Sequence, residues 1–207
     1  MDAKPTLVIV GAGGHGRVVA DAALAQGGWQ RVVATDIDAA KCSGELLAGV
    51  ALLPYEGAGR LDGAVFHAAI GSARAREKES AAAGESRLAC VVHPRAAVSP
   101  FAQLRPGAFV AAQAVVAPYA RVGLCTIVNH GAVIDHDCQV GDFTHVAPQS
   151  ALGGGVRIGA RVLVGAGVRV LPGLSVCDDV VVGAGAVVIA SITEPGVYVG
   201  VPARRVK

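Results

Sequence analysis

At 207 residues the chain has room for one or two domains. A formal charge of +2 decides nothing about small anionic ligands, but the absence of any basic tract argues against nucleic acid. The 53% hydrophobic content is carried by Ala and Val, and no run of about 18 uninterrupted apolar residues predicts a membrane span.

The stretch closest to a span, 180–193, contains Gly183 and Gly185. The first residues, with Asp2, Lys4 and Pro5, do not read as a secretory signal. Five scattered cysteines (Cys42, Cys90, Cys125, Cys138, Cys177) without a CxxC pair read as reduced thiols. A cytoplasmic protein is expected, with no disulfide framework and no metal site.

Thr6–Val10 predicts a buried strand. It runs into Gly11-Ala12-Gly13-Gly14-His15-Gly16 and then into an Ala- and Val-rich helix, Arg17–Ala25, ended by Gly27-Gly28. Arg31–Ala34 predicts a second strand, closed by Asp36. Strand, glycine loop, helix, strand and acid in that order, with the acid about 20 residues past the glycines, form a Rossmann-type half. The glycines admit a phosphate to the backbone, the helix N-terminus supplies N–H donors, and the acid binds ribose hydroxyls. A glycine-rich turn without a ligand has the same letters; the position between strand and helix gives the pattern its meaning.

Residues 39–62 read as loop and short elements. After Asp36 the only further strands expected are Val65–Ala69 and Leu88–Val92. Half a Rossmann fold holds one nucleotide, which favours a nucleotide-linked sugar over NAD. Ser72–Ala83 predicts an exposed helix carrying Arg74, Arg76, Glu77, Lys78 and Glu79. His67, mid-strand, reads as structural and His93 as a junction residue. The expected domains are 1–88, 89–190 and a tail, 191–207, packing on the second.

From Val92 to Val188 every sixth residue is Val, Leu or Ile, without a slip. Four residues after most of these sits a small or medium residue, such as Ala108, Ala114 or Thr126. A period of six fits neither an amphipathic helix nor a lone strand. It is a repeat: a short strand plus a corner, three of which close a triangular coil of about eighteen residues. Aliphatics then point inward and stacked coils bury a continuous column. Gly directly after the aliphatic, as at Gly123, Gly141, Gly153, Gly159, Gly165 and Gly183, is expected to supply corner conformations that a Cβ penalises.

This pattern resembles the hexapeptide-repeat acyltransferases. The resemblance implies an α/β Rossmann-like N-terminal half-domain followed by an all-β left-handed parallel β-helix, assembled as a homotrimer with acetyl-CoA between subunits. Five segments resemble one group of sugar acyltransferases, the sialic-acid O-acetyltransferases and UDP-bacillosamine N-acetyltransferases. They are Val10–Gly16, Ala69-Ile70-Gly71, Val92-His93-Pro94, Val128–Asp137 and Gly200–Arg204. In that group the N-terminal domain holds a nucleotide-activated sugar and the β-helix holds acetyl-CoA.

Ile134-Asp135-His136-Asp137 sets a His between carboxylates at a coil corner. Acyl transfer to an amine or hydroxyl needs a base for the nucleophile's proton, and His is poised for that near neutral pH. A hydrogen-bonded corner His is the alternative. The resemblance assigns the base to His136 and its assisting acid to Asp137. One coil further, Gly154 lies within Gly153-Gly154-Gly155, where a bare corner leaves room for substrate and exposes N–H donors for a thioester oxygen.

The resemblance also implies that Gly154, His145 and Asn129 attend the acetyl group. Gly165-Ala166 and Gly183-Ala184 fit the pantetheine wall. Arg204, Arg205 and Lys207 meet the CoA phosphates or are solvated tail charge, and His130 is a surface or interface residue. Gly11, Gly13, Gly14, His15, Asp36 and Gly71 would face the nucleotide sugar.

The function expected is acetyl-CoA-dependent N-acetylation of a nucleotide-linked amino-sugar, by direct transfer. O-acetylation of a sugar or sialic acid would use the same residues. A zinc hydrolase of the γ-carbonic-anhydrase kind needs three His ligands, and the spacing of His130, His136 and His145 does not match it. A non-catalytic nucleotide-sugar-binding protein is the remaining alternative.

Overall fold

The computed structural model describes residues 4–207; Asp2, cited above, lies outside them. The N-terminal layer contains β1 (Thr6–Val10), α1 (Gly14–Gln26), β2 (Arg31–Thr35), β3 (Glu45–Leu47), β4 (Val50–Leu52), α2 (Tyr55–Gly59), β5 (Val65–Ala68) and α3 (Ala73–Ala83). The sheet order is β3-β4-β2-β1-β5, parallel except where β3 meets β4.

Two strands beyond those expected therefore complete this sheet. β3 and β4 are three residues each, joined by a tight turn at Gly49 with φ +82°, too short to show a period. The expected strand Leu88–Val92 is divided. Leu88 makes a single bridge to Phe66, whereas Val91–Val92 belongs to the coil stack and pairs with Phe109–Val110.

From Val91 onward the chain forms strands, nearly all of two residues, stacked into three faces of six, five and eight strands that are parallel except for the last strand of the eight. Val116 pairs with Ile134 and Ile134 with Leu152, so each coil takes 18 residues. The six-residue aliphatics point inward as expected: Val110, Val116, Val128, Ile134 and Val146 are fully buried. The small residues four places on, including Ala108, Ala114, Thr126 and Thr144, are buried beside them. Each buried Val contributes about 1.5–3 kcal/mol relative to exposure, so a column of them holds the stack.

The glycines after the aliphatics serve a different purpose from the one expected. Their φ values are not positive. A Cβ on Gly141 would sit 2.5 Å from the Gly159 carbonyl carbon, and one on Gly165 2.6 Å from the Val182 oxygen. They let one coil's backbone approach the next. The left-handed conformation falls two residues later, at Gln113, Tyr119, Cys125, Asp137, Phe143, Gln149, Arg161 and Asp179, and at Gly131, Gly155 and Gly173 on other corners.

In the tail, Gly196–Val199 adds in parallel to Val180–Val182, and Arg204–Arg205 closes the eight-strand face in antiparallel fashion. The α/β layer covers the other end of that face. Phe109 and Ile127, pointing out of it, share one core with Leu7, Ile9, Val19 and Ala23. The helix expected to be exposed is exposed on one side only, because Arg76 and Ser80 of α3 are buried. Among the described residues no helix is long and apolar enough to cross a membrane.

Candidate active site

The glycine loop has the construction its spacing implies. Gly11 adopts φ +115° against the Ala69 carbonyl, and a Cβ on Gly16 would meet the Gly11 oxygen at 2.0 Å. Neither tolerates a side chain. Gly13 and Gly14 are exposed with open space above them, so the first turn of α1 presents bare N–H groups to an anion.

Asp36 braces this loop. Its carboxylate accepts from Ala12 N at 2.8 Å and from Asp38 N at 3.0 Å, and lies 3.7 Å from Lys41 Nζ. Burial pushes its pKa up, but these donors prevail and hold it below the ordinary carboxylate value. A cleft of about 270 Å³, lined by Gly11, Asp36, Ile37, Ile70 and Lys78, opens beside it. Ile37 is largely exposed and forms an apolar wall there.

His15 turns from the loop toward the coils. Its ring packs edge-on to Phe109 at 5.4 Å and lies 6.3 Å from the His145 ring. Its Nε2 is buried and unpartnered within the described chain. Burial first, then the neighbouring His67, His145, Arg76 and His130, lower its pKa to about 3. His145 is likewise lowered to about 4, by burial and then by Arg76.

Asn129 and His145 meet at 3.1 Å. The Asn129 Oδ1 already accepts from His130 N, so its amide Nδ2 donates to His145 Nε2 and the imidazole proton sits on Nδ1. His67, expected to be structural, is buried and donates from Nδ1 to the Ala89 carbonyl at 2.9 Å.

His136 stands exposed on the corner between the six- and five-strand faces. Its Nδ1–H donates to Asp137 Oδ2 at 2.8 Å, leaving Nε2 to accept. Asp137, then Asp135, raise its pKa above the ordinary value of 6.5. Gly154 faces this ring: a Cβ there would come within 2.5 Å of Nε2. The N–H groups of Gly153 and Gly155 donate to Val170 and His136 carbonyls, so Gly154 alone of the three keeps an N–H for a ligand.

Gly165 and Gly183 stack on another corner, between the eight- and six-strand faces, with Ala166 and Ala184 exposed beside them. At the tail, Arg205 pairs with Glu194 at 2.8 Å, and Arg204 is exposed. The chain thus gathers two groups. His15, Asn129 and His145 lie where the α/β layer meets the eight-strand face, with the Asp36-braced glycine loop beside them and Gly71 tied in through Arg76. His136, Asp137 and Gly154 occupy the prism edge opposite that face. A groove of about 820 Å³ runs along the five-strand face past Arg121, Gln139 and Arg157 and contains neither His136 nor His145. Among the described residues no three His, Cys, Asp or Glu side chains gather to hold a metal ion.

Residues 6–81 match the PglD N-terminal domain family. GDP-perosamine N-acetyltransferase from Caulobacter crescentus, solved with CoA and GDP-perosamine as an alanine-for-histidine variant, is 35% identical, with a TM-score of 0.89 over 98% of this chain and 97% of that one. The chain belongs to the PglD family of sugar N-acetyltransferases. The acetyltransferase domain of PglB from Neisseria gonorrhoeae, solved with acetyl coenzyme A, is 32% identical, with a TM-score of 0.90 over 99% of this chain and 100% of that one. The coil stack is the left-handed parallel β-helix of this acetyltransferase family. WeeI from Acinetobacter baumannii, at 21% identity and a TM-score of 0.73, shares the fold.

One feature of this chain was hidden in its sequence. Arg76 sits in a run of Arg, Glu and Lys that reads as a solvated helix face, yet it is 1% exposed. Its partners, among them carbonyls of coil corners far along the chain, reveal its place.

Proposed function

We propose that this chain transfers the acetyl group of acetyl-CoA to the amine of a nucleotide-linked amino-sugar. The observation that carries the reading is the His136–Asp137 pair, with Nε2 free to accept and turned to the bare Cα of Gly154, whose N–H has no acceptor among the described residues. Two solved relatives, one with CoA and GDP-perosamine and one with acetyl coenzyme A, support the two substrates.

In this reading the sugar amine attacks the thioester carbonyl directly. His136 Nε2 takes the proton, Asp137 stabilises the resulting imidazolium, and the Gly154 N–H donates to the developing oxyanion. The carbon–sulfur bond breaks as the carbon–nitrogen bond stands, and the proton passes from His136 to the departing thiolate. Asn129 and the uncharged His145 line the acetyl end, and Gly165, Ala166, Gly183 and Ala184 flank the pantetheine. Arg204, Arg205 and Lys207 remain candidates for the CoA phosphates. Gly11, Gly13, Gly14, His15, Asp36 and Gly71 receive the nucleotide sugar, so the α/β part (1–88) is assigned to the acceptor and the coils (89–190) to the donor, with 191–207 as tail.

The working unit in this reading is a homotrimer in the cytoplasm. His136 and His145 stand on opposite sides of one prism, so an enclosed site needs a neighbour's surface. Outward-facing Val115, Val133 and Ala151 on the six-strand face offer an apolar contact. Five unpaired thiols fit a reducing compartment.

The test is thiol release from acetyl-CoA against UDP-, GDP- and dTDP-linked 4-amino-sugars, with hydroxyl sugars and sialic acid alongside. Turnover with an amino-sugar, lost in His136→Ala, is expected. Turnover with hydroxyl acceptors alone would overturn N-acetylation, and no turnover together with no CoA binding would overturn acyl transfer.

A further inference from the structure

Arg76 is a buried cation, and among the described residues no carboxylate partners it. Every group it bonds is a backbone carbonyl. Nη1 donates to Ile70 O at 2.6 Å and to Gly71 O at 3.0 Å. Nε donates to Cys125 O at 2.8 Å, and Nη2 to the carbonyls of Phe143 and Thr144. A buried charge costs several kcal/mol unless its hydrogen bonds are satisfied; here carbonyl dipoles from the nearby Ile70–Gly71 turn on one side and from two coil corners on the other provide that satisfaction.

The two segments are functional neighbours. On one side, Ala69-Ile70-Gly71 backs the glycine loop: a Cβ on Gly11 would strike the Ala69 oxygen at 2.7 Å and the Ile70 side chain at 3.2 Å. On the other side, Cys125 and Phe143 are the left-handed corner residues of successive coils, with φ of 48° and 57°. Thr144 immediately precedes His145. Ser80, one turn along α3, reinforces the attachment, its Oγ lying 3.0 Å from Cys125 Sγ.

We propose that Arg76 is a positioning residue for acetyl transfer: by tying the Ile70–Gly71 carbonyls to the coil corners at Cys125 and Phe143, it sets the nucleotide-sugar loop at a fixed height over Asn129 and His145. The inference rests on the proposed function, because it takes those two sites as acceptor and donor ends. Lys keeps the charge at this position but lacks the planar fork that reaches two segments at once. Small misplacements of a bound substrate cost large factors in rate. The same cation faces His15, His67 and His145 and contributes to keeping each uncharged.

The experiment is Arg76→Lys in the full chain, with KM for the nucleotide sugar, KM for acetyl-CoA, kcat and the melting temperature measured together. The expected result is a folded protein whose kcat/KM for the nucleotide sugar falls about tenfold or more, with KM for acetyl-CoA within about twofold of wild type. A folded variant with wild-type kcat/KM for the nucleotide sugar overturns the inference, as does an equal rise in both KM values. Wild-type enzyme in the same assay separates the two levels, since absence of wild-type turnover would fault the proposed function instead.

Should Arg76→Lys not fold, hydrogen exchange on the wild-type chain with GDP and UDP reads the same link. Binding is expected to protect the amides of Cys125, Phe143 and His145 together with those of the glycine loop. Protection confined to the α/β layer overturns the inference.

Discussion

Gly154 lies across the imidazole of His136, one coil above it, with the position of its absent Cβ 2.5 Å from Nε2 and 2.6 Å from Cε1. No backbone requirement for glycine exists here, since the φ of Gly154 is not in the left-handed region. The absence of a side chain therefore serves the imidazole and whatever approaches it. Gly154→Ala is expected to fold normally, because the exposed His136 ring is free to swing aside. It should lose kcat by on the order of a hundredfold, the usual worth of a displaced general base. Steady-state kinetics beside circular dichroism check this; wild-type kcat in a folded variant would remove His136 Nε2 from the chemistry.

The His136–Asp137 hydrogen bond fixes a direction of pH dependence. Asp137, with Asp135 behind it, raises the His136 pKa above 6.5, and a general base acts only when neutral. Activity should therefore rise with pH through a limb above 6.5. Asp137→Asn keeps a hydrogen-bond acceptor but removes the first cause of the shift. Its limb is expected to move to lower pH, while the plateau falls about tenfold or more because the base is weaker and its cation less stabilised. The profile of kcat/KM against pH for both proteins measures this, and a limb that stays in place would reassign the titrating group.

The coil stack was legible in the sequence because one physical demand recurs at every sixth position: a branched aliphatic facing a narrow column. His136, Asp137 and Gly154 were legible because eighteen-residue stacking converts spacing into adjacency. Three features were not. β4 is three residues long and shows no period. The glycines after each aliphatic carry no mark distinguishing close approach from an unusual φ, and Asp137 or Arg161 adopts the left-handed conformation without glycine. Arg76 looks solvated until the corner carbonyls of Cys125 and Phe143 are in place, and those lie 49 and 67 residues further along the chain.

The two kinds of corner glycine separate by stability. At Gly141 a Cβ would press on the Gly159 carbonyl carbon at 2.5 Å and Ala160 N at 2.6 Å, backbone atoms that cannot swing away. At Gly173, with φ +72°, nothing lies within 4 Å, and Arg161 and Asp179 show that the conformation accepts side chains on neighbouring coils. Gly141→Ala should cost about 1–3 kcal/mol, as overpacking does. Gly173→Ala should cost less, about 1 kcal/mol for the left-handed backbone alone. Urea denaturation of the two variants gives the ordering, and a reversed order would mean that conformation, not close approach, governs the glycines after the aliphatics.

His67 links stability to pH with a definite sign. It is fully buried, its Nδ1–H is held by the Ala89 carbonyl, and burial is the main cause that brings its pKa down to about 4. In the unfolded chain an ordinary His takes up its proton near pH 6.5. Below that pH the unfolded state binds a proton that the folded state refuses, so stability falls from about pH 6.5 and the loss is complete near pH 4. At about 1.4 kcal/mol for each pH unit between the two values, His67 accounts for about 3 kcal/mol, and the lowered His15 and His145 act in the same sense. His67→Asn retains a donor for the Ala89 carbonyl and does not titrate. Melting temperatures measured from pH 7.5 to 4.5 should fall steeply for the wild type and less steeply for His67→Asn. Parallel curves would show that His67 carries its proton inside the folded protein.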